Sequence, residues 1–209
     1  MTGHCTGVIL AGGQATRYGR RPKGLVRVGG ARIVDRVADA LRQSCDALLL
    51  VANDAAADSW LPGVRAVTDV RPGLGALGGI YSALVHARRP VLVVAWDMPF
   101  VPAGLLAELR RLGEQADAAA PESSASRRGL EPTCAYYAPA CLAAIERRIA
   151  ADDRRVVGFY DDVRVARLPA ERVAAYGDAD LLFMNVNTPD DLSRAEAHAT
   201  ATDGRRDRP

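Results

Sequence analysis

The sequence predicts an α/β fold: a doubly wound, mostly parallel sheet with helices on both faces. Short apolar runs alternate with segments of helical spacing through the first half of the chain, the order expected of repeated βα units. The runs are continuously apolar instead of alternating with polar residues, which marks strands covered on both faces. The length of 209 residues, at 49% hydrophobic and 25% charged, suits one domain that needs no disulfide or metal staple.

Taken in order, Gly7–Leu10 is the first apolar run and ends in Ala11-Gly12-Gly13. Ile33, Val34, Val37, Ala38 and Leu41 recur at helical spacing. Ala47–Val51 and the shorter Val64–Val67 read as strands, Gly79–Ala87 as a helix, and Val91–Ala95 as a further strand. Leu105, Leu106, Leu109 and Leu112 form the buried stripe of the next helix. The second half is less regular. Pro121–Gly129 reads as a polar loop, Thr133–Tyr137 as a strand, Pro139–Ala150 as a helix and Val163–Leu168 as an edge strand. Thr188 and Pro189 read as the N-cap and first residue of a last helix. Residues 1–200 are expected to form a single domain and 201–209 a disordered polar tail.

Composition excludes several classes. A net charge of +2 gives no electrostatic case for a nucleic-acid partner. The longest strongly apolar run, Val91–Trp96, falls far short of the roughly 20 residues that cross a bilayer. Met1-Thr2-Gly3-His4 lacks the basic start of a secretory signal. Cys5, Cys45, Cys134 and Cys141 form no C-x-x-C pair, and His4, His86 and His198 complete no zinc pattern. The reading is a cytoplasmic protein with reduced cysteines and no nucleic-acid or membrane partner. Of the 27 basic residues, Lys23 is the only lysine.

Three segments carry chemistry. Leu10-Ala11-Gly12-Gly13 follows the first strand and leads through Arg17 to Lys23. Glycines there let backbone N–H groups approach an anion, and the two cations add charge suited to a triphosphate. Pro22-Lys23-Gly24 lacks the Gly-Lys-Ser/Thr end of a P-loop. A glycine turn with surface basics is the plain alternative. Within Val91–Phe100 a buried strand delivers Asp97 at its carboxyl end, where α/β sites lie. A carboxylate there can hold Mg²⁺ beside substrate phosphates, or it can cap the turn before Pro99. Gly73-Leu74-Gly75-Ala76-Leu77-Gly78 is a literal G-x-G-x-x-G. Its first glycine comes well past Val67, with Pro72 between, so a loop across a nucleotide pocket fits better than a dinucleotide-binding turn in an NAD(P)-dependent oxidoreductase. Asn53 lies past another strand end. Asn185 and Asn187 flank Val186, so both amides can face one pocket, or they can serve the turn before a helix.

Together these segments resemble the molybdenum cofactor guanylyltransferases of the bacterial MobA type. The matching pieces are Leu10-Ala11-Gly12-Gly13, Arg17, Gly19, Lys23, Asn53, Asp69, Gly75, Gly79, Asp97-Met98-Pro99, Glu131-Pro132 and Asn185-Val186-Asn187-Thr188-Pro189. The resemblance implies a Rossmann-like nucleotidyltransferase sheet that binds GTP and Mg²⁺. It implies transfer of GMP to the terminal phosphate of molybdopterin with release of pyrophosphate. By motif position, Leu10, Ala11, Gly12, Gly13, Lys23, Asn53, Asp69 and Asp97 would bind GTP, with Asp97 also on the metal. Arg17, Lys23 and Asp97 would be catalytic, and Asn185 and Asn187 would lie on the molybdopterin side. Molybdopterin-delivery proteins and molybdoenzymes would be partners. Pro22 stands where the family has an acid and Tyr18 where it has methionine. Neither change removes a phosphate ligand. The alternatives are a sister transferase using CTP on molybdopterin or GTP on another phosphorylated acceptor, and a non-catalytic carrier of the pterin cofactor.

Overall fold

A computed structural model of the chain describes residues 4–12, 23–124, 126 and 129–206, the last five by backbone alone. The first strand, β1 (Thr6–Leu10), is buried at every position. Side chains alternate along a strand, so Ile9 and Val8 enter opposite cores, and both are apolar because both faces are covered. A hairpin of two short strands follows, β2 (Arg27–Val28) and β3 (Ala31–Arg32), paired antiparallel. Its Gly29-Gly30 turn is the signal from which it could have been read. Then come α1 (Ile33–Arg42), β4 (Ala47–Val51), β5 (Arg65–Val67), α2 (Gly75–Ala87), β6 (Val91–Ala95) and α3 (Ala103–Gly113). The helix α2 begins at Gly75, ahead of the expected Gly79, because Gly78 and Gly79 pack inside it.

The second half supplies β7 (Ala118–Pro121), β8 (Cys134–Tyr137), α4 (Cys141–Ala150), a 3-10 segment (Val156–Asp162) and β9 (Val165–Leu168). It closes with the short α5 (Ala170–Ala174) and α6 (Ala179–Leu182), then α7 (Pro189–Arg206). β7 was not expected: three of its residues are alanine, which strands disfavour, and Pro121 belongs to it instead of opening the polar loop. α7 begins at Pro189 as expected and carries helical backbone past residue 200, where a tail was expected to begin.

The sheet has seven strands in the order β5-β4-β1-β6-β8-β7-β9. β5, β4, β1 and β6 are parallel. β8 runs antiparallel to both neighbours, and β9 pairs parallel with β7 at the edge. α1 and α3 fill the core on one face, and α2 and α4 fill the core on the other. This is the mostly parallel, doubly wound sheet that the continuous apolar runs implied. The chain runs outward from β1 through β4 to β5, then returns to place β6 on the other side of β1. That reversal opens a crevice beyond the carboxyl ends of β1 and β6, where open α/β sheets bind ligands. Among the described residues, no helix is long and apolar enough to cross a membrane.

Candidate active site

The crevice is built by strand register. Leu10 pairs with Val51 on one side and Ala95 on the other. Three backbone bonds carry the ladder one step further: Ala11 N–H to Val51 O at 2.9 Å, Ala52 N–H to Val67 O at 2.9 Å and Trp96 N–H to Leu10 O at 3.1 Å. Four strands therefore end level, and Gly12, Asn53, Asp69 and Asp97 leave them along one crest. They line a cavity of about 740 Å³, with Leu10 and Ala11 at its base, a size usual for small-molecule sites.

At one end, Asn53 and Asp69 form a reciprocal pair. Asn53 Nδ2 donates to Asp69 Oδ2 at 2.7 Å, and the Asp69 amide donates to Asn53 Oδ1 at 2.8 Å. Neither residue alone signals this, since they are on different strand ends. The glycine loop bounds the cavity through Gly73 and Gly75, which have φ of +83° and +59°, values that favour glycine. It is held from outside by Arg154 Nη1, donating to Gly73 O at 3.3 Å, and from below by Ser82 Oγ, which accepts from Val70 N–H at 2.9 Å. Only Gly73 and Leu74 of the motif precede α2; Gly75, Ala76 and Gly79 line the cavity from the helix's first turns.

At the other end lies Asp97, partly buried. Burial pushes its carboxyl above the usual range. Its own backbone amide and the Lys23 ammonium pull it back, and Glu131 pushes it up. Glu131 arrives because β8 is antiparallel, so its start lies beside the end of β6. Cys134 pairs with Val94, and Ala95 N–H donates to Thr133 O at 2.8 Å. Glu131 Oε1 accepts from Thr133 N–H at 3.0 Å and from Thr133 Oγ1, and Thr133 lines the cavity.

Lys23 opens a short 3-10 turn (Lys23–Leu25), and its Nζ donates to Asn187 Oδ1 at 2.5 Å. Asn187 sits just before α7. There Thr188 and Asp191 form a capping box: Asp191 N–H donates to Thr188 Oγ1 at 3.1 Å, and Asp191 Oδ2 accepts from Thr188 N–H at 2.9 Å and Asn187 N–H at 3.1 Å. Val186 turns into the core, and its N–H donates to Asp97 O at 2.9 Å. Asn185 lines the cavity, its Nδ2 donating to Phe183 O at 3.2 Å. The expected binding residues Leu10, Ala11, Gly12, Asn53, Asp69, Asp97 and Asn185 thus share one cavity, with Lys23 and Asn187 joined beside Asp97. Gly13 and Arg17 lie outside the described residues.

Sequence reading missed Trp60 and Trp96, the chain's two tryptophans, which both line the cavity and stack at a centroid distance of 5.2 Å. Trp96 ends an apolar run and Trp60 stands beside Leu61, so each reads as core.

Fold and crest together define a nucleotidyltransferase. Comparison with known proteins gives the same class: the family model described as the MobA-like NTP transferase domain matches residues 7–165. The "Probable molybdenum cofactor guanylyltransferase" of Pelotomaculum thermopropionicum is 37% identical over 93% of this chain and 93% of its own length. The "Molybdenum cofactor guanylyltransferase" of Desulfosudis oleivorans is 33% identical over 92% and 94%. A crystal structure of molybdopterin-guanine dinucleotide biosynthesis protein A from Archaeoglobus fulgidus superposes with a TM-score of 0.78 at 29% identity, covering 94% of this chain and 99% of that one. The chain belongs to the MobA-like NTP transferase family.

Proposed function

We propose that this enzyme transfers GMP from GTP to the terminal phosphate of molybdopterin, forming the guanine dinucleotide cofactor and releasing pyrophosphate. The observation that carries the reading is the crest itself: an amide–carboxylate pair, a glycine turn and a carboxylate around one cavity, with a lysine near that carboxylate. Its residues are then divided by chemistry. Asn53 and Asp69 supply hydrogen-bonding groups for base and ribose. Gly12 lets backbone approach the phosphates with no side chain between. Lys23, with Arg17 from the preceding segment, meets the negative charge that grows on pyrophosphate as it leaves. Asn185 and Asn187 face the acceptor.

A phosphate-monoester oxygen of the acceptor forms the new bond to the α-phosphorus, while the bond from that phosphorus to the β-phosphate bridging oxygen breaks. The attacking oxygen is already anionic near neutral pH, so no side chain need take its proton. Positioning and charge stabilisation make up the protein's contribution. Asp97 fits a divalent-metal site of the magnesium kind, in which one carboxylate suffices because substrate phosphates and water complete the shell. When bound, such an ion would neutralise charge on the α-phosphate. The same reading includes a cytoplasmic location, one domain over residues 1–200, and molybdopterin-delivery proteins and molybdoenzymes as partners.

Purified protein with magnesium, molybdopterin and either GTP or CTP should release pyrophosphate with GTP, and Lys23→Ala should lower that rate at least about tenfold. A strong preference for CTP would assign the chain to the sister reaction. No pyrophosphate with either nucleotide would leave a carrier of the cofactor.

A further inference from the structure

We infer that Trp96 is a positioning residue for Lys23, its indole setting where the lysine stands relative to Asp97; this rests on the nucleotidyl-transfer reading above. Trp96 is 3% exposed, too enclosed to offer a face to a purine. One neighbour is Trp60, stacked at 5.2 Å with the ring planes 23° apart. Another is Gly24. A Cβ placed on Gly24 would stand 2.5 Å from Trp96 Cε3 and 2.9 Å from Cδ2, so the backbone beside Lys23 rests on the indole with room for hydrogen alone.

The contacts close a circuit. Gly24 bears on the Trp96 ring, and Trp96 leads directly into Asp97. Asp97 O accepts from Val186 N–H at 2.9 Å, and Asn187, the next residue, accepts from Lys23 Nζ. The lysine is fixed at both ends, its backbone by the indole and its amine by the amide. The Trp96 backbone N–H donates to Leu10 O at 3.1 Å, which ties the circuit to the central strand. A free lysine on a loop could hold its ammonium in many places. This one is held against a ring that shares its chain segment with the carboxylate. A displacement of the order of 1 Å in such a group can cost about a hundredfold in rate.

The test is a set of variants assayed for pyrophosphate release at saturating nucleotide, with nucleotide affinity and melting temperature measured on each. Trp96→Leu should lower kcat by about ten- to a hundredfold while nucleotide affinity changes only a few-fold. Trp96→Phe, which keeps a ring beneath Gly24, should recover part of that rate. Gly24→Ala should lower kcat in the wild-type background and cost little more in Trp96→Leu, because its Cβ then has no ring to meet. The single lysine gives a readout separate from turnover: ¹⁵N-lysine labelling yields one backbone amide signal. Its heteronuclear NOE should fall in Trp96→Leu and hold in Trp96→Phe. Additive losses in the double variant, or an unchanged Lys23 NOE in Trp96→Leu, would overturn the positioning role. A wild type that releases no pyrophosphate would instead sink the transfer reading, so the two failures are distinguishable.

Discussion

Asp97 carries a conflict between folding and chemistry. Burial raises its carboxyl above the ordinary range, with only partial relief from its own amide and Lys23. Ionised, it is held at a cost that the proposed catalytic role would account for. Asp97→Asn should therefore melt at or above the wild-type temperature in metal-free buffer at neutral pH, by calorimetry. The same variant should lose turnover by about a hundredfold or more, since a charge-stabilising group is removed. A variant that melts clearly lower would mean that the carboxylate supports the fold. Both Asp97 and Lys23 were legible in the sequence, because each follows or adjoins a motif with a chemical reason. Trp96 was not: next to five strand residues it reads as one more apolar side chain, and its proposed role depends on Gly24, far away in sequence. The Lys23–Asn187 contact was equally hidden, since no local pattern links residues separated by 164 positions.

At the scale of elements, the start of α7 determines where Asn187 sits. Burial pushes the Asp191 carboxyl up, but bonds from Thr188 Oγ1 and from the Asn187 and Thr188 amides, with Arg194 nearby, outweigh it and hold the group below its usual range. A carboxyl lowered by folding contributes stability that is present above its unfolded pKa and is lost as pH falls through its folded one. Asp191→Asn should thus destabilise by about 1 kcal/mol near neutral pH, as loss of a helix cap does. That corresponds to about 2–4 °C in melting temperature for a chain of this size. The deficit should shrink as pH falls below the ordinary carboxylate value of about 4, where the unfolded chain begins to take up the proton, and vanish once the folded carboxyl protonates lower still. A deficit that persists unchanged into acid would show that the charge is irrelevant to the cap. The elements themselves were mostly legible. Ala47–Val51 and Val91–Ala95 are strands with the bounds their apolar runs gave, because buried parallel strands must be apolar throughout. β7 escaped because alanine favours helices, and only its place between β8 and β9 makes it a strand.

The whole molecule brings both halves of the chain to one cavity, so the site should stabilise the fold when filled. A ligand that binds only the native state adds about 2.7 kcal/mol at a hundred times its Kd. Thermal melts with GTP and magnesium should rise by several degrees, and CTP should raise them less at equal concentration. An equal rise with both would remove the basis for guanine preference. The fold class was legible at this scale from alternation alone. The reversal of β8 was not, since nothing local in Cys134–Tyr137 records its direction, and it is this reversal that brings Glu131 and Thr133 beside Asp97.

The contact between Lys23 and Asn187 also has a consequence for the order in which the protein is made. The crest strands β1, β4, β5 and β6 are complete once residue 95 has been synthesised, and their pairings lie within that stretch. The amide that receives the lysine is added only after the last strand of the sheet. A ribosome-bound chain stopped before residue 185 would carry the glycine turn, the amide–carboxylate pair, Asp97 and the indole against Gly24, yet the lysine's amine would lack the amide that receives it. Competence for transfer would then arrive only once Asn187 is in place, after most of the crest already exists.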